Sequence, residues 1–242
     1  MRGWEFETKA IHSGINPAQH LGATSVPIYE TSSFAYDTAQ ELADVFEGRM
    51  PGHVYSRLSN PTVSAFEDRM KSLEDGTGAI ATSSGMAAIA TILFALTNQG
   101  DEIVTGRSLF GGTFLLFSKI FEKYGIRFKF VDPLDHEEFR NAFSERTRVV
   151  FLETIGNPKL DVPDLALVSD LAEKQGVPLV VDGTLTTPYL LKAKDFGAGL
   201  VLHSTTKYIT GTGSTLGGVI VDLGNFDWSS CRSGSVRSTA GR

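Results

Sequence analysis

The chain has 242 residues, 41% of them hydrophobic and 21% charged, with a formal net charge of −6. This is the balance of a soluble globular chain of one large or two small domains. The acidic charge argues against nucleic acid as a partner, and no apolar run approaches the roughly 20 residues of a membrane helix. The N-terminus has no apolar signal core, so the expected location is the cytoplasm. The single cysteine, Cys231, cannot make an intrachain disulfide, and the five histidines are scattered without ligand spacing, so no metal site is expected.

Residues 1–60 are rich in Gly, Ser, Thr and Pro and show no sustained periodicity. They are expected to form an extended N-terminal arm. From Pro61 the pattern changes: Val63, Phe66, Met70 and Leu73 fall at helical spacing, and Gly76-Thr77-Gly78 ends that helix. Strands and helices then alternate. Strands are expected over 79–82, 102–104, 126–131, 149–152, 178–181, 199–202 and 218–221, and helices over 85–96, 112–123, 135–143 and 163–175. Such alternation implies βαβ units, a mostly parallel sheet and helices on both faces, over a domain of residues 61–228. Continuous apolar strands fit burial on both sides. The closing segment, 229–242, is Ser/Arg/Gly-rich, lacks a hydrophobic face and is expected to be disordered and foreign to the fold.

Three features fall at strand ends. Ser83-Ser84-Gly85-Met86 follows the first sheet strand and opens a helix. It reads either as an ordinary serine N-cap or as a phosphate site at a helix N-terminus. Asp182 closes Pro178-Leu179-Val180-Val181 and reads either as a loop-starting aspartate or as a carboxylate facing a ring nitrogen. Lys207 lies in His203-Ser204-Thr205-Thr206-Lys207-Tyr208, directly after the apolar run 199–202, with the hydroxyls of Ser204 and Thr206 beside it. Ligands of open α/β sheets bind at the carboxyl ends of strands. A lysine and an aspartate at two such ends suit pyridoxal 5′-phosphate (PLP), which needs an amine for its aldehyde and an acid for its pyridine nitrogen. The glycines of Gly211-Thr212-Gly213-Ser214-Thr215-Leu216-Gly217 precede a strand rather than a helix, which rejects a nicotinamide site. Arg57, in Tyr55-Ser56-Arg57, is either a bidentate phosphate clamp or a solvated loop arginine.

The ordered set Tyr55-Ser56-Arg57, Ser84-Gly85-Met86, Glu153-Thr154-Ile155-Gly156-Asn157-Pro158, Val180-Val181-Asp182 and His203–Tyr208 resembles the PLP-dependent enzymes of Cys/Met metabolism. These are the cystathionine γ-synthases, the cystathionine and methionine γ-lyases and the O-acetylhomoserine sulfhydrylases. The resemblance implies the three-layer α/β/α large domain of a fold type I PLP-dependent transferase. It implies that Lys207 is the Schiff-base lysine and proton shuttle and that Asp182 pairs with the pyridine nitrogen. Ser84, Gly85, Met86, Ser204 and Thr206 would hold the phosphate, and Tyr55 and Arg57 would reach the phosphate of a neighbouring subunit, making a homo-oligomer. Asn157 would sit by the ring hydroxyl and the substrate carboxylate. Phe110 stands where the family usually has a tyrosine over the ring; phenylalanine keeps the stacking face and lacks the phenol. Gly112 replaces the cysteine typical of methionine γ-lyases. Gly183 and Thr212 are lesser departures. Segments 108–114 and 153–160 look most like the O-acetylhomoserine sulfhydrylase branch. The expected activity is therefore γ-replacement on O-acetylhomoserine with a sulfur donor, with γ-elimination and an inactive PLP-binding fragment as alternatives. Family members continue into a C-terminal domain with an arginine for the substrate carboxylate, so a C-terminally truncated form is expected.

Overall fold

The seven apolar runs are strands: β1 (Gly78–Thr82), β2 (Glu102–Gly106), β3 (Arg127–Val131), β4 (Thr147–Glu153), β5 (Leu179–Asp182), β6 (Leu200–His203) and β7 (Gly218–Asp222). The computed structural model describes residues 3–231, and in it the strands form one sheet in the order β1-β7-β6-β5-β4-β2-β3. The strands from β3 to β6 in that order are parallel, and β7 is antiparallel to both of its neighbours. Because β1 and β6 each oppose β7, they point the same way. The carboxyl ends of every strand but β7 therefore lie along one edge of the sheet.

Alternation along each strand makes two apolar faces. One face presents Ile103, Val149, Phe151, Val180 and Leu202 to helix α4 (Gly85–Leu96) and to the segment that follows helix α5 (Gly111–Leu115). Phe117 stacks on Phe128 at 4.5 Å between ring centroids and meets Phe151 edge-on at 5.3 Å. The other face buries Val150, Leu152, Val181 and Val201. There α7 (Leu165–Lys174) packs on β5, and α6 (His136–Ala142) packs on α7 and β3. Helices on both sides of the sheet give the expected three layers. Full burial of a side chain such as Phe151 or Val180 contributes about 1.5–3 kcal/mol.

The helix expected over 112–123 is interrupted. α5 gives way to a widened π-type turn at Leu116–Ile120 and then a 3₁₀ turn at Phe121–Tyr124, which Gly125 ends at φ 79°. Phe117 and Phe121 are both fully buried. Periodicity reports which side chains meet the core, and it does not separate an α turn from a widened one.

The chain groups into two compact units, Met1–Leu73 and Glu74–Arg242, so that α3 (Pro61–Leu73) falls in the first. The arm expected to be extended contains two helices, α1 (Phe6–His12) and α2 (Ala39–Phe46), and a 3₁₀ turn at Pro17–His20. Helices this short carry too few turns to register as periodic. α2 is held instead by a capping box: Thr38 Oγ1 accepts from Glu41 N and Glu41 Oε2 accepts from Thr38 N, both at 3.1 Å. α1 packs on α3, and Gly14 (φ 76°) lies so close that a Cβ there would meet Ala65 O at 2.0 Å. Asn60 starts α3 by accepting from Thr62 N and donating to Tyr29 O, each at 2.9 Å.

Ser229 and Ser230 lie in a 3₁₀ turn capped by Asp227, whose Oδ1 accepts from Ser229 N at 2.9 Å. The remainder of the segment expected to be disordered, 232–242, lies outside the described residues. Among the described residues no helix is long and apolar enough to cross a membrane.

Candidate active site

Asp182 ends β5 at the carboxyl edge of the sheet. Its Oδ1 accepts from Thr184 N at 2.9 Å, and Thr184 Oγ1 in turn accepts from Ser204 N at 2.8 Å. Two adjacent strand ends are thus tied by one short loop. Asp182 keeps part of its surface open, yet burial of the carboxyl pushes its pKa up; the Thr184 hydrogen bonds and nearby His203 pull the other way. A carboxylate so enclosed gains most from a cation placed against it.

The run of β1 leads into α4 through Ser84, where the structure shows the serine N-cap. Its Oγ accepts from Ala87 N at 3.1 Å, and the first intrahelical bond is Ala88 N to Ser84 O at 3.0 Å. The N–H groups of Gly85 and Met86 precede that bond, so the helix itself does not use them. Gly85 is buried, and a Cβ on it would fall 2.6 Å from Ser204 Cβ. The start of α4 and the turn after β6 therefore touch, which only glycine permits. Thr206 Oγ1 accepts from Gly217 N at 3.1 Å and donates to Gly217 O at 3.3 Å, which ties this turn to the residue before β7; the exposed Lys207 follows, with its N donating to Ser204 O at 3.2 Å. Helix N–H groups, the positive end of the helix dipole and nearby hydroxyls are groups that an anion could use, and the backbone of Lys207 lies in the same turn as Ser204.

A third cluster sits on the neighbouring strand end. Glu153, the last residue of β4, is the register partner of Asp182. Its Oε1 accepts from Phe110 N at 2.7 Å and its Oε2 from Asn157 N at 3.2 Å. Burial pushes the Glu153 carboxyl up to about 7; the Phe110 hydrogen bond opposes this, the charge of Asp182 adds to it, and the Asn157 hydrogen bond opposes it. Phe110 itself is half-exposed, at the start of α5. Glu153 was not singled out from the sequence. It stands in the sequence as the first residue of the 153–158 motif and, like Asp182, as an acid closing an apolar strand, but neither signal gives it a role.

Sequence reasoning also missed the pair Glu74 and His203. Both are fully buried, with Nε2 and Oε1 2.5 Å apart. His203 lies against Gly183, where a Cβ would come within 2.6 Å of its Cε1. That contact gives a physical reason for glycine directly after Asp182. Tyr55 and Arg57 belong to the other unit, Met1–Leu73. Both are exposed, with the Arg57 guanidinium 5.4 Å from the Tyr55 ring centre. Tyr55 also bridges to Ser33, so this stretch is not free loop. Among the described residues no group of three or more His, Cys, Asp or Glu side chains could hold a metal ion.

The Cys/Met metabolism PLP-dependent enzyme family matches residues 7–241. An O-acetyl-L-homoserine sulfhydrylase of Leptospira meyeri is 42% identical over 94% of this chain and 51% of its own length. An L-methionine gamma-lyase of Pseudomonas putida is 41% identical over 89% of this chain and 54% of its own. Among solved structures, a putative O-acetylhomoserine (thiol)-lyase of Campylobacter jejuni superposes with a TM-score of 0.87 at 30% identity, covering 91% of this chain and 54% of that one. That protein carries N′-pyridoxyl-lysine-5′-monophosphate. The chain thus spans about half the length of the curated relatives it matches.

PLP offers an anionic phosphate, a ring nitrogen able to carry a proton and an aldehyde that condenses with a lysine. The donor set at this sheet edge fits all three: helix N–H groups and hydroxyls at an approach that a Cβ on Gly85 would close, an enclosed carboxylate and a lysine in the turn after β6. From the match over nearly its whole length and the chemistry of that edge, the chain belongs to the Cys/Met metabolism PLP-dependent enzymes, and its cofactor is pyridoxal 5′-phosphate.

Proposed function

We propose that the chain serves γ-replacement on O-acetylhomoserine, exchanging acetate for sulfide or a thiol to give homocysteine or methionine, in the cytoplasm. The observation that carries this reading is the meeting of the α4 start, Ser204 and the Lys207 turn at one sheet edge with Asp182. The substrate comes from segments 108–114 and 153–160 and from the name of the Leptospira relative.

When bound, the cofactor supplies an electron sink for the substrate's carbon–hydrogen bonds. The chain supplies the rest. Gly85 and Met86 N–H, Ser84, and the Ser204 and Thr206 hydroxyls hold the phosphate. The Asp182 carboxylate keeps a proton on the ring nitrogen. Lys207 Nζ would hold the aldehyde and would be the base that moves the substrate's α-proton. Phe110 would offer an apolar face to the ring and, lacking a hydroxyl, could hold no proton, which would leave proton movement to Lys207. Asn157 orients the ring hydroxyl and the substrate carboxylate. Tyr55 and Arg57 reach the phosphate of a second copy, which makes the working unit a homo-oligomer, a dimer within a tetramer.

γ-Elimination is the second reading, favoured by the 41% identity to the Pseudomonas lyase. Gly112, where methionine γ-lyases typically carry cysteine, counts against it.

The test is the visible absorption of the purified chain with PLP, before and after borohydride, beside Lys207→Ala. A violet-region band that borohydride traps, and that Lys207→Ala lacks, is expected. A soluble chain with no such band overturns the assignment. Product analysis with O-acetylhomoserine and sulfide then separates homocysteine from a 2-oxoacid with ammonia.

A further inference from the structure

The loop carrying Phe110 and the loop carrying Asn157 leave different strands, yet they meet at one buried side chain. Glu153 is 8% exposed, and each of its oxygens accepts a backbone N–H from a different loop, Phe110 at 2.7 Å and Asn157 at 3.2 Å. The loops also touch without it: a Cβ on Gly156 would fall 2.6 Å from Ser108 Cβ, and Ser108 Oγ donates to the Asp161 carboxylate. That second tie, at the equally buried Ser108, fixes neither Phe110 nor Asn157 directly. The Phe110 ring is 47% exposed, so the core does not hold it; it is set by the path of its own backbone, with a Cβ on Gly112 excluded at 2.6 Å from the ring.

We infer that Glu153 is a positioning residue: its carboxylate clasps the two loops together and so fixes the Phe110 face and Asn157 over the cofactor ring. This rests on the cofactor site proposed above. A clasp needs both reach and acceptors on both sides. Glutamine in its place keeps the reach but offers an amide NH₂ to one of the two N–H groups. Aspartate keeps two acceptors but is one methylene too short to serve both loops. A merely space-filling role for Glu153 makes neither demand.

The experiment compares wild type, Glu153→Gln, Glu153→Asp, Phe110→Leu and the double variant Glu153→Gln/Phe110→Leu, all as the full chain. Two signals are read: hydrogen exchange of the Phe110 and Asn157 amides without cofactor, and visible circular dichroism of added PLP, which reports how asymmetrically the ring is held. Above the value of about 7 to which burial raises this carboxyl, where wild-type Glu153 is charged, at least one of the two amides in each Glu153 variant is expected to exchange about tenfold faster, the loss of one hydrogen bond to a buried charge. The PLP dichroism is expected to fall as in Phe110→Leu, with no further fall in the double variant. Unchanged exchange at both amides in both Glu153 variants overturns the inference. So does a dichroism loss that simply adds to that of Phe110→Leu. If wild type shows no PLP signal while the amides still loosen, the clasp stands and the proposed function falls.

Discussion

The two edges of the sheet treat their carboxylates in opposite ways. At the edge where the parallel strands begin, Glu102 meets Lys129 Nζ at 3.0 Å and accepts from Ser144 Oγ at 2.6 Å. Its pKa is lowered, chiefly by the Ser144 bond. Asp101 beside it pairs with Arg148 at 3.1 Å. At the edge where the strands end, Glu153 and Asp182 are enclosed and held by backbone N–H and hydroxyl groups, with no basic side chain hydrogen-bonded to either among the described residues, and both pKa values are raised by burial. A charge met by a cation adds to stability, whereas a buried charge without one subtracts from it. The starting edge is built to hold the fold. The ending edge is left electrostatically incomplete, the condition in which a cationic ligand gains the most.

The largest test of this contrast is the pH dependence of unfolding. The unfolded chain releases the Glu153 proton near 4.5, and the folded chain holds it to about 7. Between those values the folded state binds the extra proton, so this group makes stability fall as pH rises through the window, by about 3 kcal/mol in all. Asp182, also raised, acts in the same direction. Urea unfolding of Glu153→Gln across the same range should show a flatter slope. An equally steep slope would break the contrast at the ending edge.

The next effect is steric. Gly85→Ala drives a Cβ to 2.6 Å from Ser204 Cβ, between two backbone segments that cannot both yield. A loss of about 2 kcal/mol is expected, with weaker PLP binding measured by titration. Full stability in this variant would mean that the α4 start and the β6 turn are not held together as described.

The smallest effect is at the starting edge. Lys129 is more than a third exposed, so solvent screens its pair with Glu102. Glu102→Gln should lower stability by only about 1 kcal/mol at neutral pH. Because the folded-state pKa of Glu102 is lowered, the difference should vanish as pH falls through that lowered value, the reverse of the Glu153 trend.

All seven strands were legible from sequence, and the reason is physical. A strand buried on both faces, as Val149-Val150-Phe151-Leu152 is, reads as a continuous apolar run, whereas the half-buried β3 shows itself by alternation, with Phe128 and Phe130 alternating with Arg127 and Lys129. The helices α1 and α2 left no such mark, although Thr38 and Glu41 carried the capping-box spacing that starts α2. Lys207, Asp182 and the Ser84 turn could be picked out because their local sequence already implies a strand end. Glu153 and the Glu74–His203 pair could not. Glu153 acquires its meaning when two separate loops deliver N–H groups to it, and His203 lies 129 residues from Glu74 along the chain.

The position of β1 has a consequence for synthesis on the ribosome. Among the described residues β1 is the first strand made and its one sheet partner is β7, with Thr77 N donating to Asp222 O across 145 residues. The entropy of closing so long a loop grows slowly with length; time is the larger obstacle. At typical translation rates β1 waits roughly ten seconds to half a minute for its partner to emerge. Meanwhile β2 to β6 can pair with one another as they appear. A nascent chain stalled before Gly218 would therefore hold a nearly complete parallel sheet beside a stranded β1 and a half-formed cofactor site, a form that chaperones rather than cofactor would meet first.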